Sequence, residues 1–309
     1  MKATTPNSIG RTFCLFLFTL IIPVRPCQTQ KLTETPFTLH ENVIFFKATL
    51  NGSHELNFMF DSGAGITALN SSVAEELDLL YSGESVISTS GRKIKARSSV
   101  GNSLQIGQVN LKDLALEVMY LDHLSEYFKT PVDGIIGYDL FSRFITGIHV
   151  DKMVLEIFQS LEGLDPGSWK KTNLYRVDNN KVAMDAGLKA RNGSYRNYIM
   201  TVDTGAPDQI HLFPNTLEDT TIDLKFTNRR VRGFSADTTI TENQRGRLKG
   251  ILIAGKKWKN VRAVIPVDPV SKAALGTNTT YGFIGQELLL DFNIIYDYKN
   301  NWFYLQERN

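Results

Sequence analysis

The sequence predicts an all-β protein built as two pseudo-symmetric halves. Three observations carry this expectation. Phe58-Met59-Phe60-Asp61-Ser62-Gly63-Ala64 returns 142 positions later as Met200-Thr201-Val202-Asp203-Thr204-Gly205-Ala206. The turn tripeptide Asn51-Gly52-Ser53 that precedes the first copy recurs as Asn192-Gly193-Ser194 before the second. Most of the remaining chain falls into short apolar or β-branched runs bounded by Gly, Asn and Ser, as strands do. A repeat that keeps its internal order is the mark of a duplicated structural unit.

Taken in order, Val43–Leu50 and Glu55–Phe60 form a hairpin about Asn51-Gly52, the strongest short-range hairpin signal, and the second strand delivers Asp61. Ile66–Leu69 continues extended. Ser72-Val73-Ala74-Glu75 has the spacing of a capping box and predicts a short helix to about Leu80. Ser85–Thr89 and Lys93–Arg97 flank Ser90-Gly91 as a polar hairpin with little apolar surface to bury, so it should project over something. Ser103–Ile106 and Leu114–Tyr120 make a further hairpin about Gly107-Gln108. Val132-Asp133-Gly134-Ile135-Ile136-Gly137, a short helix near Tyr138–Phe144 and a hairpin over Ile148–Phe158 complete the half. Apolar periodicity lapses from Gly163 to Lys171, which divides lobe 28–165 from lobe 166–309.

The second half repeats the series. Lys181–Leu188 and Tyr195–Val202 deliver Asp203, and Gly233–Arg247 is the candidate for a matching polar hairpin. Ile251-Leu252-Ile253-Ala254-Gly255 echoes Leu104-Gln105-Ile106-Gly107. Tyr281-Gly282-Phe283-Ile284-Gly285 echoes Asp133–Gly137, and Gln286–Phe292 echoes Tyr138–Phe144.

Composition narrows the function classes. The 309 residues carry a net charge of +2, and without Lys2, Arg11 and Arg25 of the first 27 residues it becomes −1. A near-neutral body offers no overall electrostatic footprint for nucleic acid. Residues 1–27 read as an export signal, with a basic start and an apolar run from Phe13 to Val24 of signal rather than membrane-spanning length. The expectation is therefore an exported protein, periplasmic, secreted or lipid-anchored. Cys27 invites attachment to a membrane through a lipid, although Arg25 and Pro26 stand where resemblance to a lipobox would need small residues. The two cysteines, Cys14 and Cys27, fall in this segment or at its end, so no internal disulfide framework is expected. The five histidines are scattered and neither CxxC nor HExxH occurs, so no metal site is expected, nor any organic cofactor.

An aspartate at the exit of a buried strand is costly unless its charge is hydrogen-bonded, shared or used. Asp-Ser/Thr-Gly-Ala after such a strand, followed in the same half by an apolar-apolar-Gly strand, resembles the aspartic-protease family. The likeness extends over both halves from about Val43 and is closest to single-chain, two-lobed bacterial and retropepsin-like aspartyl proteases. The resemblance implies a pepsin/retropepsin-like fold, with Asp61 and Asp203 as the catalytic pair at the interlobe cleft. Ser62 and Thr204 would lock the two loops together, and Gly63 and Gly205 would bring backbone N–H groups to the carboxylates. Ser90 and Gly91 would sit in the flap over a peptide or protein substrate. With two aspartate motifs in one chain, a monomer suffices.

The chemistry can be stated independently. Hydrolysis of a peptide bond without metal or covalent nucleophile needs a base for water and an acid for the carbonyl oxygen. Two close carboxyls hold one proton between them and supply both. Ala64 and Ala206 replace the Ser or Thr that pepsin-like members resemble one another in carrying, which removes a hydrogen bond from the anion and predicts an optimum nearer neutral. The alternative function is a catalytically silent peptide-binding protein with the same cleft. Gly63-Ala64-Gly65 also fits a dinucleotide loop, but Asp61 would face the pyrophosphate with like charge and the second copy, Gly205-Ala206-Pro207, lacks the second glycine.

Overall fold

The computed structural model describes Met1 and residues 30–88, 93–234, 236, 238, 240–267 and 279–308. Residues 2–29, which hold nearly all of the expected export signal, and the hairpin tip with Ser90 and Gly91 lie outside the described residues. Among the described residues, no helix is long and apolar enough to cross a membrane.

The first half runs through β1 (Gln30–His40), β2 (Val43–Leu50), β3 (Glu55–Phe60), β4 (Thr67–Asn70), α1 (Ser71–Glu76), β5 (Gly83–Ser88), β6 (Lys93–Ile106) and β7 (Val109–Met119). It continues with α2 (Asp122–Phe128), β8 (Gly134–Ile136), α3 (Tyr138–Phe141), β9 (Ile145–His149) and β10 (Val154–Ser160). The second half holds β11 (Lys170–Asn173), β12 (Tyr175–Val177), β13 (Lys181–Lys189), β14 (Tyr195–Asp203), β15 (Ile210–Leu212), α4 (Pro214–Leu217), β16 (Leu224–Phe234) and β17 (Ile240–Ile253). It ends with β18 (Lys256–Pro266), β19 (Gly282–Gly285), α5 (Gln286–Leu289), β20 (Phe292–Asp297) and β21 (Trp302–Glu307).

The duplication is visible in strand order. In the first half, β2-β3-β8-β4-β7-β6-β5 lie side by side, and β2 also pairs with β6. In the second, β13-β14-β19-β15-β18-β17-β16 follow the same order, with β13 also pairing with β17. Direction is kept too: β3–β8 and β14–β19 are parallel, as are β4–β7 and β15–β18. Each strand that delivers an aspartate therefore lies beside its own apolar-apolar-Gly strand.

The halves are joined by strands from both. β11-β21-β20-β9-β10-β1 extend the first sheet, and β20 pairs antiparallel with β9 through Ile294–Ile148, Ile295–Gly147 and Tyr296–Thr146. The strands nearest the C-terminus thus complete a sheet begun near residue 30. One continuous core runs through both lobes and includes Phe60, Ile136 and Tyr296 with Val202 and Ile284. Burial of this apolar surface is the main stabilising term for such a fold.

Several local expectations are corrected. α1 begins at Ser71, and no side chain caps it. Asn70, at its N-cap, instead donates to Asp122 Oδ1 at 2.7 Å and to Val132 O, tying the helix start to the loop before β8. Lys93–Arg97 and Ser103–Ile106 are not separate strands but the two ends of β6, which passes through an irregular register at Ser99–Asn102, where Gly101 adopts φ 75°. The helix α2 was not anticipated. The two Asn-Gly turns also differ: Asn51 and Gly52 both have positive φ, whereas only Gly193 does in the second.

Candidate active site

The strand β3 ends at Phe60, and the Asp61 N–H donates to Ile136 O at 2.9 Å, so the carboxylate leaves the sheet at a fixed height. In the second lobe Val202 pairs with Ile284 and Asp203 with Gly285. Each chain then turns sharply, with Gly63 N donating to Asp61 Oδ1 at 2.7 Å and Gly205 N to Asp203 Oδ1 at 3.1 Å. Charge-assisted bonds of this kind orient a carboxylate and hold it in place.

The loops interlock. Ser62 Oγ donates to Val202 O at 2.7 Å, and Thr204 Oγ1 donates to Phe60 O at 3.0 Å. In return, Thr204 N donates to Ser62 Oγ at 3.1 Å and Ser62 N donates to Thr204 Oγ1 at 2.8 Å. Both side chains are fully buried. The arrangement repeats across the pseudo-two-fold, so each lobe holds the other's aspartate loop by the same pair of bonds.

Glycine is required where the backbones crowd. A Cβ on Gly63 would lie 3.0 Å from Oδ1 of both Asp61 and Asp203, so both carboxyls crowd the same point of the Gly63 backbone. A Cβ on Gly205 would come within 2.5 Å of Asp61 Cγ. Gly137 and Gly285, which close the two apolar-apolar-Gly strands, are as confined: a Cβ would stand 2.0 Å from Asp61 O in the first case and 2.1 Å from Asp208 O in the second. The motif ends in glycine because the aspartate loop passes directly over it.

Although both aspartates keep some contact with solvent, the Asp61 carboxyl is pushed well above the usual carboxylate range. Burial within the protein is the main cause and the neighbouring Asp203 charge the second. The Gly63 N–H opposes the shift but does not cancel it. No hydroxyl is available at Ala64 or Ala206 to stabilise the anion further.

Apolar packing ties the first hairpin to the Asp61 loop. Phe45, Met59, Met119, Leu124, Phe128 and Ile135 belong to a separate apolar cluster against which Ala64, Ile87 and Ile94 pack. Ile87 and Ile94 face each other on β5 and β6, so the first hairpin leans on the same cluster as the Asp61 loop. Ala236, from the connection between β16 and β17, packs there as well. The Gly233–Arg247 stretch is thus part of a hairpin at the same sheet position as β5–β6, and its end meets the first lobe.

Three further contributors went unread in the sequence. The turns Glu41-Asn42 and Asn179-Asn180 have positive φ at both residues and cross between lobes. Asn42 Nδ2 donates to Pro207 O and Asn180 Nδ2 to Gly65 O, each at 3.2 Å. Paired asparagines are good formers of such turns, and Asn179-Asn180 was the signal available. Tyr296 is the third: it is fully buried, packed against Phe60 and Phe141, and its hydroxyl lies beside Ser62 without a well-formed hydrogen bond. Burial raises its pKa, with smaller contributions from Asp203 and Asp61. Nothing in the local pattern distinguished it from other core aromatics.

Among the described residues no group of three or more His, Cys, Asp or Glu is placed to hold a metal ion. The arrangement is one of two interlocked aspartate loops on a duplicated β fold, with a hairpin packed on the same apolar cluster as the first loop. Residues 46–140, from β2 through the Asp61 loop to α3, match a family model described as aspartyl protease. That match supports an aspartic protease family, of the retropepsin-like kind. No curated protein matches the chain.

Proposed function

We propose that the protein is an aspartic endopeptidase that cleaves peptide bonds with a water molecule held between Asp61 and Asp203. The observation that carries this reading is the reciprocal Ser62–Thr204 lock, which fixes two strand-end carboxylates from separate lobes at one point. A carboxylate pair so close shares one proton. The ionised member takes a proton from water while the neutral member donates to the carbonyl oxygen, and the roles belong to the pair. Gly63 and Gly205 N–H groups hold the inner oxygens, leaving the outer ones for water and substrate. The hairpins exclude bulk water from the extended peptide.

The raised Asp61 pKa and the alanines at 64 and 206 support a working range nearer neutral than that of enzymes with a hydroxyl there. The leader sequence supports action outside the cytoplasm, and secretion with loss of residues 1–27 would test it.

The deciding experiment incubates the purified protein with an unfolded protein substrate, with and without a statine-type transition-state mimic. Cleavage that the mimic blocks and that Asp61→Asn or Asp203→Asn abolishes is expected. Cleavage surviving in both variants would overturn the assignment. Stoichiometric binding of the mimic without turnover would mark a peptide-binding protein instead.

A further inference from the structure

Charge is unevenly distributed. Residues 224–262, which form β16, β17 and β18, hold eleven Lys and Arg against two acids. That is a net +9 in a chain whose residues 28–309 sum to −1, so everything else together carries −10. The concentration is not an artefact of counting along a loop, because the strands align the cations. Lys225 lies directly opposite Arg247, and Arg247 directly opposite Arg262, giving a row of three across three adjacent strands. All three are exposed.

Like charges facing each other across strands destabilise a sheet. Such a row is usually relieved by interleaved acids, and here relief is partial. Arg262 pairs with Glu287. Arg247 donates only to the backbone at Asn260 O, 3.3 Å away, and neither it nor Lys225 has a carboxylate partner among the described residues. The stability cost is therefore retained in a position where no internal contact offsets it.

The row adjoins the segment that follows Asp203, where Arg262 N donates to Gln209 Oε1 at 2.6 Å. Arg245 shares the face of Arg247 on β17, two residues further along, and its Nη1 sits 2.7 Å from Asp208 Oδ1. Asp208 lies on the same turn as Asp203 and also meets His211 Nε2 at 3.1 Å. A polypeptide leaving the aspartates on this side would pass Arg245 and then meet Arg247, Lys225 and Arg262. β16 is also the free edge of its sheet, so an extended segment can lie alongside it.

We propose that this cationic row is an exosite for an acidic stretch of the polypeptide substrate, flanking the bond to be cut. The proposal rests on the peptidase reading and adds its substrate class. A long polyanion or an anionic membrane is disfavoured, because residues 28–309 carry a net charge of −1 and offer it no wider attraction beyond these strands. A short run of Asp and Glu needs only Lys225 and Arg247, the members of the row without a carboxylate partner among the described residues. Exposed complementary charge of this kind speeds encounter and strengthens capture, and salt weakens it.

The test compares a neutral peptide that the protein cleaves with the same peptide carrying a run of glutamates at either end. At low ionic strength one acidic extension should lower KM about tenfold with kcat little changed, an effect of about 1.4 kcal/mol, and the advantage should shrink as salt is added. Lys225→Gln combined with Arg247→Gln should remove the advantage and leave cleavage of the neutral peptide as it was. Equal KM values for all peptides, or an advantage that survives the double substitution, would overturn the exosite. If no peptide is cleaved, the peptidase reading fails by itself, and fluorescence anisotropy of labelled acidic and neutral peptides still reads the exosite. Phosphatidylglycerol vesicles and single-stranded DNA serve as competitors. Displacement of the acidic peptide by either at lower charge concentration would reassign the row away from substrate.

Discussion

Thr204→Ala gives the sharpest test of how the site is held together. The Thr204 hydroxyl donates to Phe60 O and accepts from Ser62 N, both across the lobe boundary and fully buried. Alanine leaves a buried N–H and a buried C=O without partners, at about 1–3 kcal/mol each. Loss of the methyl group adds about 1 kcal/mol. The expected destabilisation is about 3–7 kcal/mol, a large part of the roughly 5–15 kcal/mol that holds a typical domain folded. Thr204→Ser keeps both bonds and should cost only about 1 kcal/mol, and Ser62 already fills the equivalent place in the other lobe. Urea unfolding of both variants, with m-values compared, measures the difference. A gap between Ala and Ser of less than about 0.5 kcal/mol would show that the bonds contribute no net stability, against the argument from orphaned buried groups. Pairing Thr204→Ala with Ser62→Ala should give a coupling of about 0.5–3 kcal/mol, because each residue is donor and acceptor for the other's loop.

Other consequences follow from the same geometry. Gly205→Ala would push a methyl carbon to within 2.5 Å of Asp61 Cγ, and a carboxylate displaced by about 1 Å should lose roughly 10²-fold in kcat/KM while the circular dichroism spectrum stays unchanged. Gly137→Ala meets backbone rather than a side chain, at 2.0 Å from Asp61 O, and should abolish soluble folded protein, as seen by expression and gel filtration. The raised Asp61 pKa has a thermodynamic sign. A carboxyl more basic in the folded state favours folding below its ordinary pKa and loses that contribution as pH rises through the raised value. Asp61→Asn should therefore melt at a higher temperature than the wild type at pH 8 and close to it at pH 3, and parallel melting curves at all pH values would refute this.

The aspartate loops were legible because each is local and occurs twice. Asp61-Ser62-Gly63 alone is a turn; with Asp203-Thr204-Gly205 at the same place in a repeat it becomes half of a pair. The glycines closing Ile135-Ile136-Gly137 and Phe283-Ile284-Gly285 were legible as motif, and the structure gives the reason, since backbone passes over each. The shared sheet was not legible. β9 and β20 pair across nearly half the chain, and no local pattern encodes which distant edge a strand will find. The helix α2 was missed because Asp122–Phe128 is short and polar, with only Leu124 and Phe128 buried. The length of β6 was missed because Gly101-Asn102 looks like a break; the strand absorbs it as an irregularity, with the Asn102 amide bonded to Ser99 Oγ at 3.0 Å.

The two-fold repeat holds at the interlocked aspartate loops and fails in the residues around them. The hydroxyl lock and the glycine crossings match position for position. Leu104 pairs with Leu50 and Ile251 with Leu188, which sets β6 and β17 in equivalent register and makes Ser98 the counterpart of Arg245. Ser98 bonds Glu117 within its lobe, whereas Arg245 reaches Asp208 on the second aspartate turn. Likewise, the pairing of β9 with β20 makes the apolar Ile148 the counterpart of Tyr296, whose phenol lies beside Ser62 and is acted on by both Asp203 and Asp61. Two carboxylates that share one proton are never equivalent at a given instant, and identical surroundings would leave the proton's position undecided. The phenol beside Ser62 and the arginine beside the Asp203 turn have no counterparts across the repeat, while the Ser62–Thr204 lock is symmetric. Duplication followed by divergence of the supporting residues, with the bonding loops held constant, accounts for both.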